Sequence, residues 1–368
     1  MDKAVHLFSH YLPFLNAGLA ILKGRLQKRV FPWYLNFFIT SKCNLRCPYC
    51  YIIKYRSEQK EPSLEALKRI VDDFYRLGTR YFALLGGEPL LRKDLSELID
   101  YLTSKNVLIG MNTNGTIPLD RHISMLKKLN KITFSLEGER KDHDKDRGVG
   151  SYDKIIENMT ILKRNRINQF SIQTTITAST LHSWQHVLDI AKIYGSTVLF
   201  TEISCQPGEK TVSADIDSGQ LVQIWEKIRN LKLKGFPVEN SFEAINNMIT
   251  YGKHIGPFQF FESFDAIPPY LKKFTKNSPC SFGRYAAFLN YDGNLYPCAS
   301  LFGIEKYKYN IYELSIKKAY QCMSSNHSCR LCRGLLGYQI HLLFSSLDFS
   351  TLLQLAKIAF NNYNYKNL

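Results

Sequence analysis

Three cysteines lie close together directly after an apolar run. The segment TSKCNLRCPYCYI, which begins at Thr40, places Cys43, Cys47 and Cys50 with three and then two residues between them. A structural zinc site usually takes four protein ligands in two close pairs, and the next downstream Cys or His is His122. Three thiolates on one loop can instead bind three irons of a four-iron, four-sulfide cluster and leave the fourth iron open. A zinc knuckle and a disulfide nest are the alternatives.

A second motif follows the next apolar strand. It reads LLGGEPLLR and contains Gly86, Gly87 and Glu88. Two adjacent glycines let the backbone approach a ligand closely, and the glutamate adds a carboxylate at the same end of the strand. The structural alternative is a tight turn between a strand and a helix.

The two motifs together resemble the radical S-adenosylmethionine (radical SAM) superfamily, including the aromatic Tyr49 before the last cysteine. The resemblance implies that the cysteine triplet binds a 4Fe–4S cluster whose open iron takes S-adenosylmethionine. It also implies that three residues bind the amino group of the methionine moiety: Gly86, Gly87 and Glu88.

Two later segments resemble further positions of the family. NTNGT begins at Asn112, and SLEGERKDHDKDRG begins at Ser135 and resembles the pattern Ser-x-Asp-Gly…His-Asp…Arg-Gly. The resemblance implies that Asn112 meets the cofactor or substrate and that Ser135 meets the ribose. It places Arg147 on the methionine carboxylate, which a guanidinium matches with two parallel hydrogen bonds. Glu137 stands where the family has Asp.

Other residues near these motifs have less specific roles. Asp142, His143 and Asp144 are interpreted as a solvated entry to a helix. Cys205 follows the sixth predicted strand and is a candidate catalytic thiol that hands a hydrogen atom to a product radical. The alternative for Cys205 is a small buried hydrophobic residue.

A second group of cysteines lies near the end of the chain. Twelve residues separate Cys280 from Gly293, and four separate Gly293 from the next cysteine. This C-x12-G-x4-C…C-x2-C layout resembles the auxiliary-cluster domain called twitch, a shorter relative of SPASM. The resemblance implies an auxiliary 4Fe–4S cluster on four thiols: Cys280, Cys298, Cys329 and Cys332. Zinc is the alternative occupant, and Cys322 is a spare thiol.

The elements that must position these residues alternate between strands and helices. Six predicted strands span residues 33–40, 81–85, 107–111, 131–136, 170–177 and 197–203. Predicted helices span residues 64–78, 94–105, 121–129, 152–165, 183–194 and 218–235. Such alternation predicts an α/β fold, a partial (β/α)6 TIM-like barrel with ligands at the carboxyl ends of its strands. A hairpin turning at Asp292-Gly293 is predicted in the C-terminal domain.

The chain divides into five predicted parts. They are an N-terminal amphipathic helix with a basic linker (1–30), the barrel (31–252), a connector (253–279), the twitch-like domain (280–334) and a C-terminal helical tail (335–368). Residues 4–22 carry no formal charge, which approaches the length of about 20 residues that a spanning helix needs. Polar residues and a proline interrupt them, so we expect a helix that packs on the protein or lies on a membrane surface.

Composition and charge limit the class of protein. The chain has 368 residues, 45% of them hydrophobic, which is ordinary for a globular protein. Its nine cysteines without a recognisable signal peptide predict a reducing cytoplasmic location and thiols kept for metal. The formal net charge is +16, but it is scattered and forms no nucleic-acid module, so no nucleic-acid partner is expected. Solvation of the surface is the simplest interpretation, and attraction to an anionic membrane surface or an acidic substrate is the alternative.

The resemblance implies an enzyme. Such an enzyme reductively cleaves S-adenosylmethionine and abstracts hydrogen from an unactivated C–H bond through a 5′-deoxyadenosyl radical. A reduced flavodoxin or a ferredoxin-type protein would supply the electron, and the auxiliary cluster would transfer electrons. The flanking amphipathic segments suggest a lipid or isoprenoid-like substrate at the membrane surface. The alternatives are a peptide or protein maturase of the SPASM/twitch type, a small-molecule enzyme, or a noncatalytic iron–sulfur electron carrier.

Overall fold

The computed structural model describes residues 2–54, 61–203, 216–255, 265, 267–272, 280–326, 329 and 344. Its helices are α1 (Asp2–Leu26), α2 (Tyr51–Lys54), α3 (Leu64–Leu77), α4 (Leu95–Ser104), α5 (Ile123–Leu126), α6 (Arg140–Arg147), α7 (Ser151–Arg164), α8 (His186–Tyr194), α9 (Ser218–Leu233), α10 (Phe242–Ile255), α11 (Pro269–Lys272) and α12 (Ile311–Asn326). Its strands are β1 (Tyr34–Phe38), β2 (Tyr81–Leu85), β3 (Leu108–Thr113), β4 (Lys131–Ser135), β5 (Phe170–Ile176), β6 (Thr197–Glu202), β7 (Ala286–Leu289), β8 (Asn294–Tyr296) and β9 (Tyr309–Asn310).

The strands form one nine-stranded sheet in the order β6-β5-β4-β3-β2-β1-β7-β8-β9. Strands β1 to β6 run parallel, and β7 adds parallel to β1 with Tyr34 opposite Ala286. β8 and β9 are antiparallel additions beyond β7. Among the described strands, β6 and β9 are the two edges, so the sheet is an open, partial barrel. All the parallel strands therefore end at one rim.

The convex face of the sheet carries the main core. Alternate residues such as Leu35, Phe82, Ile109, Phe134 and Phe200 are buried against the outer helices. Because side chains alternate across a strand, the residues between them point to the concave face. That alternation is what separates a hydrophobic outer layer from a barrel interior.

The amino ends of the strands form a closed floor. Helix α1 packs across them, and Ala17 and Ile21 contact Trp33 and Leu108. The indole Nε1 of Trp33 donates a hydrogen bond to the carbonyl of Ala17 at 3.2 Å. The ring of Phe344, from the C-terminal part of the chain, also reaches this floor and contacts the indole of Trp33. The amphipathic N-terminal helix is thus present and packs on the protein.

The edge strand β6 is covered by the segment that follows α9. The amide of Val198 donates to the carbonyl of Pro237 at 2.8 Å. The side chain of Asn240 accepts from the amide of Phe200 and donates to its carbonyl, both at 2.9 Å. These contacts satisfy backbone groups that would otherwise be exposed on an edge strand.

Most predicted elements are present with shifts of one to three residues. The six predicted strands and the hairpin at Asp292-Gly293 are confirmed, and Gly293 has φ +84°, which favours glycine in the turn. The predicted helix at 121–129 is shorter and consists of a 3-10 turn and α5. Helices α10 and α12 were not predicted. Most of the predicted connector and nearly all of the predicted tail lie outside the described residues.

Candidate functional site

The cysteine loop leaves β1 at the carboxyl rim of the sheet. The carboxylate of Glu61 anchors its start, because Glu61 Oε1 accepts from the Thr40 hydroxyl at 2.6 Å and from the Ser41 amide at 2.9 Å. Farther along, the amide of Cys50 donates to the carbonyl of Cys47 at 3.1 Å and closes a turn. All three thiols are partly buried and none forms a disulfide. The loop thus presents three thiols at the rim.

The glycine pair of the second motif lies directly under this loop. The amide of Gly87 donates to the carbonyl of Thr40 at 2.9 Å, and the amide of Glu88 donates to the carbonyl of Lys42 at 2.7 Å. A Cβ added at Gly87 would lie 2.1 Å from the carbonyl oxygen of Lys42 and 2.9 Å from the amide of Cys43. Only glycine permits this approach, so the two motifs form one packed unit.

Glu88 is fully buried beneath the end of β3. Its carboxylate accepts hydrogen bonds from the hydroxyl of Thr113 at 2.8 Å, the amide of Asn114 at 2.7 Å and the amide of Leu90 at 3.2 Å. Burial raises the pKa of Glu88 to about 7, against the three hydrogen bonds, which lower it. In this structure the carboxylate holds the β3 turn in place.

Glu137 and Arg147 form a buried ion pair after β4. Glu137 Oε1 accepts from Arg147 Nη2 at 2.7 Å, and Glu137 Oε2 accepts from Arg147 Nε. Burial alone would raise the pKa of Glu137, but the Arg147 guanidinium and the neighbouring His143 together outweigh it and lower the pKa to about 2. Arg147 Nη1 lies 4.0 Å from the sulfur of Cys47, and the guanidinium lies over the ring of Tyr49 at 5.7 Å. The pair therefore reaches the cysteine loop.

The interpretation of Asp142 to Asp144 as a solvated helix entry was wrong for its first two residues. His143 has no exposed surface, and Asp142 is 8% exposed. The amide of Glu137 donates to His143 Nδ1 at 3.1 Å, and the hydroxyl of Ser183 donates to Asp142. Asp144 is only partly buried and accepts from the amide of Tyr152 at 2.9 Å. Helix α6 is thus fixed to its neighbours by its polar residues.

The concave face carries polar, uncharged side chains near the carboxyl ends of β3 to β6. Asn112 Nδ2 donates to Gln173 Oε1 at 3.4 Å, although β4 lies between their strands, so the sheet curves around this space. The hydroxyl of Thr201 donates to the hydroxyl of Thr175 at 3.5 Å. Five partly buried side chains on this face are uncharged: Asn112, Ser135, Gln173, Thr175 and Thr201. These five side chains offer hydrogen bonds without charge, while the ion pair of Lys131 and Glu239 lies on the same face at the amino end of β4.

Three of the C-terminal cysteines lie on the other side of β1. The amide of Cys280 donates to the carbonyl of Cys329 at 2.6 Å, which joins the two ends of the predicted cage. An aromatic cluster containing Phe38 and Phe302 packs against both Cys50 and Cys298. The two cysteine groups are therefore neighbours across one apolar layer. Cys332 and Cys205 lie outside the described residues.

Residues 37–194 match the family model of the Radical SAM superfamily. This chain contains a radical SAM domain. It is 31% identical over 262 residues to an Fe-coproporphyrin III synthase from Methanosarcina barkeri, covering 66% of this chain and 60% of that protein. It is 27% identical over 175 residues to the mycofactocin maturase MftC from Mycolicibacterium smegmatis, covering 47% of this chain and 45% of that protein. The radical SAM relatives are enzymes, and the chain spans between 45% and 60% of the length of these two.

Two solved structures share the fold of the radical SAM domain and its C-terminal extension. Streptococcus suis SuiB bound to precursor peptide SuiA has a TM-score of 0.62 and 15% identity, covering 82% of this chain and 67% of SuiB. Native anSMEcpe with bound AdoMet has a TM-score of 0.60 and 17% identity, covering 90% of this chain and 100% of that chain. These likenesses confirm the predicted partial barrel.

The residues of the radical SAM domain suit a 4Fe–4S cluster by their chemistry. Three thiols share one loop, and Gly87 keeps that loop against the sheet. Within the described part of the chain, no three His, Cys, Asp or Glu side chains are grouped closely enough to bind one metal ion. A cluster does not need such a group, because each cysteine binds a different iron. Burial raises the pKa of the Cys47 thiol to about 11, and a bound metal ion would lower it.

The structure brings most predicted site residues to one rim. The triplet, the Gly86–Gly87–Glu88 segment, Asn112 and Ser135 all lie at or beyond the carboxyl ends of β1 to β4. Sequence reasoning missed Thr113, Asn114 and the pairing of Glu137 with Arg147. The pattern NTNGT carries Asn114 and Thr113, so a signal was present, but the buried carboxylate that they contact was not evident.

Proposed function

We propose that this chain is a radical SAM enzyme that cleaves S-adenosylmethionine reductively and abstracts hydrogen from an unactivated C–H bond. The observation that carries this proposal is the cysteine loop packed on the Gly86–Gly87 backbone at the rim of a radical SAM domain. When bound, the 4Fe–4S cluster supplies the electron and the open iron that this chemistry requires. Cys43, Cys47 and Cys50 would hold it. Reduced flavodoxin or a ferredoxin-type protein is the proposed donor, and the +16 charge favours an acidic partner.

The proposed site for S-adenosylmethionine lies between the cysteine loop and the ends of β2 to β4. Gly86 and Gly87 expose backbone there, and Asn112 and Ser135 offer neutral side chains. Glu88 and Arg147 are assigned to the methionine moiety by resemblance, although both already contact protein groups. Equilibrium binding of S-adenosylmethionine to the reconstituted protein tests this assignment. A noncatalytic electron carrier would not bind it.

We propose an auxiliary 4Fe–4S cluster on Cys280, Cys298, Cys329 and Cys332. The contact between Cys280 and Cys329 supports a shared site. The partly buried ring of Tyr51 packs with Cys50 and Cys298 against one apolar cluster, so the two thiol groups are neighbours. Two clusters on either side of this apolar layer would exchange electrons. Zinc is the alternative occupant.

Iron and sulfide content after anaerobic reconstitution tests both clusters. The comparison is between the wild-type chain and a triple variant, Cys43→Ala, Cys47→Ala and Cys50→Ala. About eight irons per chain falling to about four would support two clusters with separate ligands. About four irons falling to none, with zinc present, would make the C-terminal site a zinc site. The absence of iron from both proteins would overturn the proposed function.

The substrate is proposed to be a polar molecule, and a peptide is the favoured class. The uncharged, hydrogen-bonding side chains near the carboxyl ends of β3 to β6 suit amide and hydroxyl groups better than the apolar body of a lipid or isoprenoid. Two solved structures of the same fold have peptides bound: SuiB with precursor peptide SuiA, and anSMEcpe with the Kp18Cys peptide. A lipid or isoprenoid-like substrate is the alternative.

Deuterium transfer distinguishes these substrate classes. The reconstituted enzyme would be incubated with S-adenosylmethionine, dithionite and either a perdeuterated peptide digest or a perdeuterated isoprenoid alcohol. We expect deuterium in 5′-deoxyadenosine from the peptide digest only. Deuterium from the isoprenoid alone would contradict the proposed class.

A second proposal concerns contact with an anionic membrane surface. Helix α1 exposes one apolar stripe on the side away from the floor: Leu15, Leu19, Leu22 and Leu26. Basic residues, including Lys23, Lys28 and Arg29, lie beside or just after this stripe. Among the described residues, no helix combines the length and apolar character required to span a bilayer. An apolar stripe next to basic residues is typical of a helix lying in a membrane interface.

Vesicle sedimentation tests this proposal. We expect the chain to bind vesicles of phosphatidylglycerol and phosphatidylcholine at moderate salt, and the double variant Leu19→Asp, Leu22→Asp to lose that binding. The control is Ile193→Asp, which changes an exposed apolar residue on α8 in the same way. Equal binding by all three proteins, or binding by none, would contradict a role for the stripe.

A further inference from the structure

Two carboxylates with no exposed surface lie behind the cysteine loop. Glu88 follows β2 and Glu137 follows β4, and both are 0% exposed. A buried carboxylate is costly unless hydrogen bonds or a cation compensate it. Each of these two is compensated by a residue whose side-chain N–H then points to a cysteine sulfur.

The first arrangement joins Glu137, Arg147 and Cys47. The carboxylate of Glu137 accepts hydrogen bonds from Nε and Nη2 of Arg147, whose side chain is 12% exposed. This leaves Nη1, which lies 4.0 Å from the sulfur of Cys47. The bidentate pair fixes the plane of the guanidinium, so the direction of Nη1 is fixed as well. An aspartate at this position would be one methylene shorter, and the longer side chain of Glu137 brings its carboxylate to Arg147.

The second arrangement joins Glu88, Asn114 and Cys43. Glu88 accepts from the backbone amide of Asn114, which sets the position of that residue. The side-chain oxygen of Asn114 accepts from the amide and the hydroxyl of Thr116 at 2.9 and 2.7 Å. Its Nδ2 must therefore face the other way, where it lies 3.8 Å from the sulfur of Cys43 and 2.9 Å from Asn44 Oδ1.

From these contacts we propose that Arg147 and Asn114 donate N–H···S hydrogen bonds that raise the reduction potential of the cluster on Cys43, Cys47 and Cys50. Glu137 and Glu88 are positioning residues that hold the two donors. The physical reason is that a reduced cluster is more negative, so N–H donors at its sulfur ligands stabilise it more than the oxidised cluster. The inference rests on the proposed cluster, and it gives Arg147 a role toward a sulfur instead of the methionine carboxylate.

The test is an EPR-monitored redox titration of the first cluster without S-adenosylmethionine. Arg147→Gln and Asn114→Leu each remove one donor, and Glu137→Gln keeps the size of the side chain while loosening Arg147. We expect a lower midpoint potential in Arg147→Gln and Asn114→Leu. In Glu137→Gln the loss of a negative charge opposes the loss of the fixed donor, so its potential should change less. The matched control is Arg140→Gln, which removes the same charge from the same helix at an exposed pair with Asp153. Its midpoint potential should equal that of the wild type.

The outcomes separate this inference from the proposed function. A wild-type protein that assembles no cluster overturns the proposed function. A wild-type cluster whose potential is unchanged in Asn114→Leu overturns this inference alone, even if Arg147→Gln fails to fold. A weaker affinity for S-adenosylmethionine with an unchanged potential would also overturn it and would support the carboxylate role of Arg147.

Discussion

Glu88 shows how a buried carboxylate links the stability of this protein to pH. Its pKa is raised to about 7 from an ordinary 4.5, so between these values the folded chain binds a proton more tightly than the unfolded chain. The free energy of unfolding should therefore fall by about 3 kcal/mol as pH rises through this window. Glu88→Gln should remove this dependence of the free energy of unfolding on pH. Urea unfolding of iron-free protein across this pH range measures it.

The control for this experiment is Glu97→Gln, which changes an exposed glutamate on α4. That variant should keep the wild-type slope. If Glu88→Gln kept the slope too, the burial of Glu88 would not control the pH dependence.

Gly87 is the residue at which the two sequence motifs touch. In Gly87→Ala, the new Cβ would meet the carbonyl of Lys42 and force the cysteine loop off the sheet. We expect the free energy of unfolding to fall by about 2 kcal/mol and the iron bound after reconstitution to fall with it. Urea unfolding and iron analysis measure the two effects.

Gly18→Ala is the matched control for Gly87→Ala, since a Cβ there meets nothing within 4 Å and the residue lies in helix α1. The free energy of unfolding of Gly18→Ala should rise by about 0.5–1 kcal/mol, because alanine favours a helix more than glycine does. Iron content equal to wild type in both variants would show that the close approach at Gly87 is dispensable.

At the scale of residues, the sequence predicted those site residues that occur at fixed, short spacings. The cysteine triplet and the two glycines were found because their roles need fixed short separations. The pair of Glu137 and Arg147 was not, because its geometry depends on how helix α6 turns back on β4. The sequence showed that Glu137 replaces the Asp of the family pattern. The structure gives a reason, because the longer side chain of Glu137 contacts Arg147.

At the scale of elements, Asn240 substitutes for a strand partner on the edge of β6. Asn240→Ala should leave the buried amide and carbonyl of Phe200 unpaired and lower the free energy of unfolding by about 3 kcal/mol. Urea unfolding measures this loss. The control, Asn230→Ala, removes an exposed amide side chain on α9 and should change stability by less than about 0.5 kcal/mol. Similar losses in both variants would argue against the edge contact.

Strands were easier to predict than helices in this chain. Strands β1 to β6 are buried apolar runs, which are recognisable without their partners. Helix α10 was missed although Ala244, Ile245, Met248 and Ile249 are buried at helical spacing. Polar residues separate these four, and no recognisable strand precedes or follows the segment, so the helix was not predicted. Helix α12 was missed for a related reason, since its buried face only becomes evident beside β8 and β9.

At the scale of the whole molecule, the floor of the barrel depends on helix α1. Ile21 is 1% exposed against that floor, and Leu22 beside it is 54% exposed. Ile21→Ala should lower the free energy of unfolding by about 3 kcal/mol, whereas Leu22→Ala should change it by less than about 0.5 kcal/mol. Thermal and urea unfolding without vesicles would measure the difference. Equal effects would show that α1 does not pack on the floor in solution.

The partial barrel was predicted because the alternation of strands and helices leaves few arrangements. The place of the C-terminal hairpin was not predicted. Its turn is encoded locally by Asp292 and Gly293, but its partner, β1, lies about 250 residues earlier in the chain. Long-range pairing of this kind leaves no mark in the local pattern.

That pairing limits how the protein can be dissected. Because β7 lies directly beside β1, a chain cut before residue 280 would leave β1 as a bare sheet edge, next to the loop that carries the first three cysteines. Bare edges recruit other strands, so such a fragment should aggregate, and its inactivity would reveal nothing about the C-terminal thiols. The two cysteine groups are separable by point substitution but not by truncation. The same dependence would oppose loss of the C-terminal region in descendants of this chain, whatever its cysteines bind.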